Sequence, residues 1–335
     1  MLRLPEFSYV AARTVAEAVA ALAEYGPGAI PIAGGTDLVP NLKRRQFPVQ
    51  ALVSLQGIRE LHGIRGGEDG GLVIGALTTL REVAGSPDVR AAYPALSEAA
   101  AQVATPAIRS AATLGGNLLL DTRCQYYNQV DDWREALGHC MKCDSNAPCR
   151  VAPHSNRCLA VSQSDTAPAL IALGARVRLN SPCGGREIPL VELYQDDGIN
   201  YTTRARDEIL TEVLLPPSGG LRSTYLTFRR RGAIDFPILG VAAAMAVAEN
   251  GTIAQARLVL GAVGSHPMLV PEAADLAGKP LDEAAIAALA RTAAQRAKPM
   301  DNADLTIGYR KRMAQVFTVR ALRKLAWGEP SAAQA

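Results

Sequence analysis

Five of the six cysteines in the chain, Cys124, Cys140, Cys143, Cys149 and Cys158, fall in one stretch, DTRCQYYNQVDDWREALGHCMKCDSNAPCRVAPHSNRCLA, residues 121–160. Asn, Asp, Pro and Ser between them give neither a clean helical nor a clean strand period. A loop of this kind has no apolar face to offset its conformational entropy, and thiolate–metal bonds would supply the missing order by fixing it point by point. Three readings compete: an iron–sulfur cluster, a structural zinc and a disulfide-tied loop. The chain opens MLRLPEFSYV without an apolar signal segment, and no apolar run of about 18 residues follows, so a reducing cytoplasm and no membrane are expected and disulfides are the weakest reading. Cys140-Met-Lys-Cys143 has the spacing of a zinc knuckle, but the second close pair of a zinc ribbon is missing. Gaps of 15, 8 and 8 residues between Cys124, Cys140, Cys149 and Cys158 suit a cluster held at four corners by one long loop.

At 335 residues the chain is long enough for two domains, or for one with a satellite, and 48% hydrophobic content suffices for a core. Net charge is only +3 and the basic residues do not interleave with aromatics, which argues against a nucleic-acid partner. The densest basic run, Arg229 to Arg231, reads as a solvated face.

Thr14-x-x-Glu17 is a capping box that opens a helix over residues 15–25, stopped by Gly26. Strands follow at 29–33, 51–55 and 72–76, and Thr79-x-x-Glu82 opens another short helix. Residues 94–103 have helical spacing, while 105–117 read as small-residue loop ending in a Gly-Gly-Asn turn. Asp165 is placed to cap a helix over 166–173, followed by a strand at 175–179. Composition changes at Pro216-Pro217-Ser-Gly-Gly220, the best domain boundary. Beyond it, three strands (223–230, 238–248 and 253–263, the last two joined by Asn250-Gly251) and helices over 282–298 and 305–327 predict a three-stranded antiparallel sheet backed by helices, with a frayed tail after Gly328.

Two loops, Ala33-Gly34-Gly35-Thr36-Asp37 and Thr113-Leu-Gly115-Gly116-Asn117, let backbone amides approach a phosphate without a Cβ in the way. Neither fits the dinucleotide fingerprint or a Walker loop. Taken in order with Ser-Asp-x-x-Pro-Ala-Leu at 164–170 and Arg-Arg-x-Ala-x-Asp-Phe at 230–236, they resemble the FAD-binding medium subunit of the xanthine dehydrogenase family of molybdenum hydroxylases. The resemblance spans nearly the whole chain. It implies an α+β fold: an FAD-binding domain of the vanillyl-alcohol-oxidase type over 1–217, in subdomains of about 1–57 and 58–217, then a C-terminal domain over 220–330.

By motif, the resemblance implies that Ile32, Ala33, Gly34, Gly35, Thr36, Asp37 and Leu38 wrap the FAD pyrophosphate and that Thr113, Gly115, Gly116 and Asn117 make a second phosphate and ribose contact. Asp165 would bind the cofactor from the start of its helix, and Leu210 would pack near the flavin ring. Where the family has a lysine near the flavin this chain has Thr227, so either Arg229 or Arg230 takes its place or the flavin lacks that charge and has a lower reduction potential. One branch, the 4-hydroxybenzoyl-CoA reductases, carries an insertion like residues 121–160 with a [4Fe–4S] cluster. That likeness selects Cys124, Cys140, Cys149 and Cys158 as ligands and leaves Cys143 spare, or in the place of Cys149, since the gap from Cys140 to Cys149 is one residue longer here; Tyr126, Tyr127 and Trp133 are expected to seal the centre from water. The implied role is electron transfer in a reductase, with ferredoxin or another one-electron carrier as donor; the alternatives are a hydroxylase of a heteroaromatic or acyl-CoA substrate that passes electrons outward, and a zinc-stabilised binding protein without redox activity. A large molybdenum-cofactor subunit and a small subunit with two [2Fe–2S] clusters would complete a dimer of heterotrimers. No catalytic nucleophile is expected in this chain: its four histidines are scattered, and no serine, histidine and acid set is readable.

Overall fold

The computed structural model describes residues 2–328, and the tail expected to fray lies outside the described residues. The first unit contains β1 (Ser8–Ala11), α1 (Val15–Tyr25), β2 (Ala29–Ile32), α2 (Leu38–Lys43) and β3 (Ala51–Ser54), its strands parallel in the order β1-β3-β2. Parallel strands need crossovers: α1 carries the chain from β1 to β2, and α2 from β2 to its neighbour β3. Thr14 accepts from the Glu17 amide at its start, and Gly26, at φ +56°, closes it. The Glu17 carboxylate accepts from Arg13 N instead of Thr14 N, so this capping box is only half formed. At Thr79 both halves are present.

The second unit runs through β4 (Ile64–Gly66), β5 (Leu72–Gly75), α3 (Leu80–Gly85), α4 (Pro87–Ala92), α5 (Pro94–Gln102), α6 (Pro106–Arg109), α7 (Leu114–Leu118), α8 (Asp131–Ala136), α9 (Thr166–Ala172), β6 (Arg176–Ser181), β7 (Gly184–Pro189) and β8 (Ile209–Leu215). Its antiparallel sheet has the order β4-β5-β8-β6-β7. Residues 105–117 are not the loop that small side chains suggested. Thr105 and Thr113 cap two short helices, the Thr113 hydroxyl accepting from the Gly116 amide at 3.1 Å. Within the cysteine stretch, residues 131–136 are likewise helical.

The third unit comprises β9 (Arg222–Phe228), β10 (Leu239–Val247), β11 (Ile253–Gly261), β12 (Met268–Leu269), α10 (Glu283–Arg296) and α11 (Ile307–Trp327). Its sheet is four-stranded among the described residues, not three-stranded: Met268 and Leu269 pair with Leu260 and Val259, a strand too short to show a period. Alternation along β10 serves two cores. Leu239, Val241, Ala243 and Met245 pack toward α10 and α11, at about 1.5–3 kcal/mol for each large side chain buried. Ala242 and Ala244 face α5 and α9, where small side chains admit the helices closely; a Cβ on Gly261 would come 2.7 Å from Pro168 of α9. Across this joint Glu98 accepts from Thr224 Oγ1 and Tyr225 N, each at 2.8 Å, and pairs with Lys324 at 2.7 Å.

Arg310, fully buried in α11, has no carboxylate beside it among the described residues. It donates to Met300 O (3.0 Å) and Ala262 O (2.7 Å), and burial pulls its guanidinium down to about 10. It thereby fixes the segment before α11, which grips the cysteine stretch: Gln125 N donates to Asn302 O at 3.0 Å, and Asn302 Nδ2 donates to Leu159 O. Among the described residues no helix is long and apolar enough to cross a membrane.

Candidate functional site

A cleft of about 840 Å³, within the size range of cofactor sites, is lined by residues of all three units. Ile32, Ala33, Gly34, Gly35, Thr36, Asp37 and Leu38 line it, as do Thr113, Gly115, Gly116, Asn117, Asp165 and Leu210. An added Cβ on Gly34 would stand 1.9 Å from Ala111 O, so the two glycine loops meet backbone to backbone. Gly35 adopts φ +68°, a left-handed conformation that costs other residues about 1–2 kcal/mol. Among the described residues the amides of Gly34, Gly35 and Thr36 donate to no protein oxygen, which leaves a short row of donors suited to phosphate.

The second loop is braced from within. Leu114 N donates to Thr78 O and Gly115 N to Ala76 O, while Asn117 Oδ1 accepts from Ser164 Oγ, Thr166 Oγ1 and Thr166 N at 2.7–3.1 Å. Ser164 Oγ, in turn, accepts from Ala167 N and caps α9. Asp165 therefore does not cap, contrary to the sequence reading. Its backbone is already helical, and its carboxylate accepts from Tyr225 OH (2.8 Å) and Arg229 Nη2 (2.5 Å). Burial pushes the Asp165 carboxyl up, against the pull of Arg229. Arg229, whose Nε donates to Thr227 Oγ1 at 3.3 Å, is thus the arginine that comes beside Thr227 and Asp165. Arg230 does not join the site: it is exposed and pairs with Asp304 at 2.8 Å.

Several lining residues carried no signal in the sequence reading. Arg123 bonds Asp37 at 2.9 Å and lies 3.9 Å from the Phe236 ring centroid; burial lowers its guanidinium and raises the Asp37 carboxyl. Gln163, Tyr201, Arg204, Glu208 and Asp121 also line the cleft. At the rim, Ile234 holds φ +52° and donates its amide to Ala104 O, a strained position for a β-branched residue.

Beside the cleft, Cys124, Cys140, Cys149 and Cys158 are buried and line one small cavity, sealed by Tyr127 and flanked by Tyr126. Neighbouring backbone amides favour the thiolate at three of the four, those of Tyr126 at Cys124, of Lys142 and Cys143 at Cys140, and of Ala160 at Cys158. Burial pushes the Cys124 thiol up to about 12 and Cys158 to about 11, so thiolates there call for a compensating cation. Gly198 lets the chain pass over Cys158, since its Cβ would sit 2.7 Å from the sulfur. Cys143 is exposed, its sulfur 3.9 Å from that of Cys140, and Cys183 is exposed as well. Trp133 does not seal the cavity; it is exposed on α8. Among the described residues no three His, Cys, Asp or Glu side chains gather as they would around a single metal ion.

Lys142 and Tyr127 line both cavities. Lys142 Nζ donates to Asp121 Oδ1 (2.6 Å), Thr122 Oγ1 (2.6 Å) and Thr122 O (2.9 Å), and lies 4.6 Å from the Tyr127 ring centroid. The Tyr127 hydroxyl donates to Gln46 O at 3.0 Å, and buried Arg134 donates to Arg44 O and Arg45 O, tying the cysteine stretch to the first unit.

Comparison with known proteins agrees with this geometry. Residues 5–218 match the profile of a family described as the FAD binding domain in molybdopterin dehydrogenase, and residues 223–325 match the CO dehydrogenase flavoprotein C-terminal domain. The aldehyde oxidoreductase FAD-binding subunit PaoB of Escherichia coli K12 is 34% identical over 80% of this chain and 85% of its own length. The carbon monoxide dehydrogenase medium chain of Hydrogenophaga pseudoflava is 29% identical over 96% of this chain and 98% of its own. A solved carbon monoxide dehydrogenase from that organism superposes with a TM-score of 0.80 at 27% identity, covering 97% of this chain and 99% of that one. With an FAD-binding domain, a C-terminal domain and an α+β fold in common, the chain belongs to the FAD-binding medium subunits of the xanthine and CO dehydrogenase family of molybdenum hydroxylases, and is the FAD subunit of an oxidoreductase complex.

Proposed function

We propose that the chain is a two-centre electron-transfer subunit, with FAD in the cleft and a [4Fe–4S] cluster on Cys124, Cys140, Cys149 and Cys158, in a molybdenum-dependent reductase of the 4-hydroxybenzoyl-CoA reductase class. The observation that carries the reading is the set of four buried cysteines, Cys124, Cys140, Cys149 and Cys158, that line one cavity. When bound, the flavin exchanges one or two electrons and so joins one-electron carriers to two-electron chemistry. This chain's part is to hold the flavin phosphates on the Gly34–Thr36 amides, to close the cleft with Arg123 and Phe236, and to shield the cluster with Tyr127.

Residues 1–217 form a vanillyl-alcohol-oxidase type flavin region in subdomains of about 1–57 and 58–217, with 121–160 inserted, and 220–330 is the second domain typical of these medium subunits. Substrate chemistry belongs to a large molybdenum subunit, and a small subunit with two [2Fe–2S] clusters relays electrons within a cytoplasmic dimer of heterotrimers. Ferredoxin, or a carrier like it, reduces the surface cluster and thereby drives reductive removal of an aromatic hydroxyl. The similarity to aldehyde oxidoreductase and carbon monoxide dehydrogenase subunits favours a second reading, a hydroxylase that sends electrons outward through the same cluster. The complex, purified without oxygen, is assayed with 4-hydroxybenzoyl-CoA and a low-potential donor. Formation of benzoyl-CoA is the expected result; oxidation of a heteroaromatic or acyl-CoA substrate, with no dehydroxylation, would favour the hydroxylase.

A further inference from the structure

The flavin cleft and the cysteine cavity are separated by a wall with a cation inside it. Lys142 lines both spaces, its side chain only 7% exposed, and three acceptors at 2.6–2.9 Å hold its ammonium in place. The Tyr127 ring packs against it, and the Tyr201 ring lies 5.9 Å away. Its counter-ion, Asp121, lines the cleft and not the cysteine cavity; one carboxylate oxygen takes the ammonium while the other is buried without a partner. Both cavities therefore face the cation, and the cleft alone faces the carboxylate. The cysteine side sees the cation, and the cleft side sees cation and carboxylate together.

We propose that Lys142 sets the reduction potential of the cluster, and Asp121 offsets the same charge on the flavin side, so that one buried ion pair spaces the potentials of the two centres. This rests on the two-centre reading above. A fixed positive charge in a poorly screened interior favours an added electron nearby, and a neighbouring carboxylate disfavours it. Both residues act by positioning charge, and neither takes part in a bond-making step.

The test uses the whole complex purified without oxygen, as wild type and as Lys142→Met, Lys142→Gln and Asp121→Asn. Flavin potential is read by absorbance and cluster potential by the low-temperature magnetic resonance of its reduced state. Lys142→Met is expected to shift the one-electron equilibrium of the cluster at least tenfold toward the oxidised form, about 59 mV lower, with a smaller change at the flavin. Asp121→Asn is expected to raise the flavin potential more than that of the cluster. Lys142→Gln keeps a donor for Thr122 and carries the same test if the Met variant fails to assemble. An unmoved cluster potential in a variant with full iron, sulfide and flavin would overturn the inference and leave the two-centre reading intact. Loss of the cluster from both Lys142 variants would make the lysine a structural brace and also overturn it. Wild-type protein with flavin but without acid-labile sulfide would instead remove the two-centre reading itself.

Discussion

The flavin cleft and the cysteine cavity share a wall yet are built from different materials. The cleft is shaped by main chain, with Gly34 against Ala111, Gly35 in a left-handed turn and a row of amides without protein acceptors. The cavity is shaped by side chains, four sulfurs and the Tyr127 ring, on a stretch whose regular structure is confined to α8. Main-chain sites are broken by adding atoms. Side-chain sites are broken by removing them, and the two should fail independently.

The largest effect is expected from Cys149→Ser. It should reduce iron and acid-labile sulfide from about four of each per chain to near background, with flavin retained, while Cys143→Ser leaves both contents unchanged. Metal and sulfide analysis of protein made without oxygen checks this, and the reverse pattern would exchange Cys143 and Cys149 as ligands. Next comes Gly34→Val, whose Cβ would have to displace Ala111 O. A destabilisation of roughly 2–4 kcal/mol and loss of flavin with iron retained are expected. Thermal melting and the ratio of flavin to iron measure it; joint loss of both cofactors would show that the two sites are not independent.

The smallest effect tests the cleft's electrostatics. Arg186 donates to both oxygens of Glu208, at 2.6 and 2.8 Å, and holds its carboxyl below the usual range. A depressed folded value means that the stabilisation is present above the ordinary glutamate range, near pH 4.3, and is lost as pH falls through the lower folded value. Because Arg186 is substantially exposed, Glu208→Gln should cost only about 0.5–1 kcal/mol at pH 7. The melting temperatures of wild type and variant should converge below about pH 4; a constant gap between them would assign the effect to packing.

Legibility in the sequence followed the range of each interaction. Helices opened by Thr14 and Thr79 were readable because a cap is settled within four residues. So was the glycine of the tight turn at Gly35. Asp165 misled because the capping oxygen comes from Ser164 and the support from Asn117, far away in sequence, leaving the aspartate free to turn toward Arg229. β12 is two residues long and has no period to detect. Arg123, Lys142 and Arg204 sit in irregular segments where a cation looks solvated until the fold buries it.

The Arg310 clamp has a consequence for the order in which the molecule is made. The contacts that steady Gln125 and Leu159 come from Asn302, in a segment that Arg310 secures. These residues leave the ribosome some 150 positions after the last cysteine of the stretch. At 5–20 residues per second the cysteines therefore wait for roughly ten to thirty seconds in a nascent chain whose frame is incomplete. On the two-centre proposal, loading of the cavity would therefore follow completion of the polypeptide.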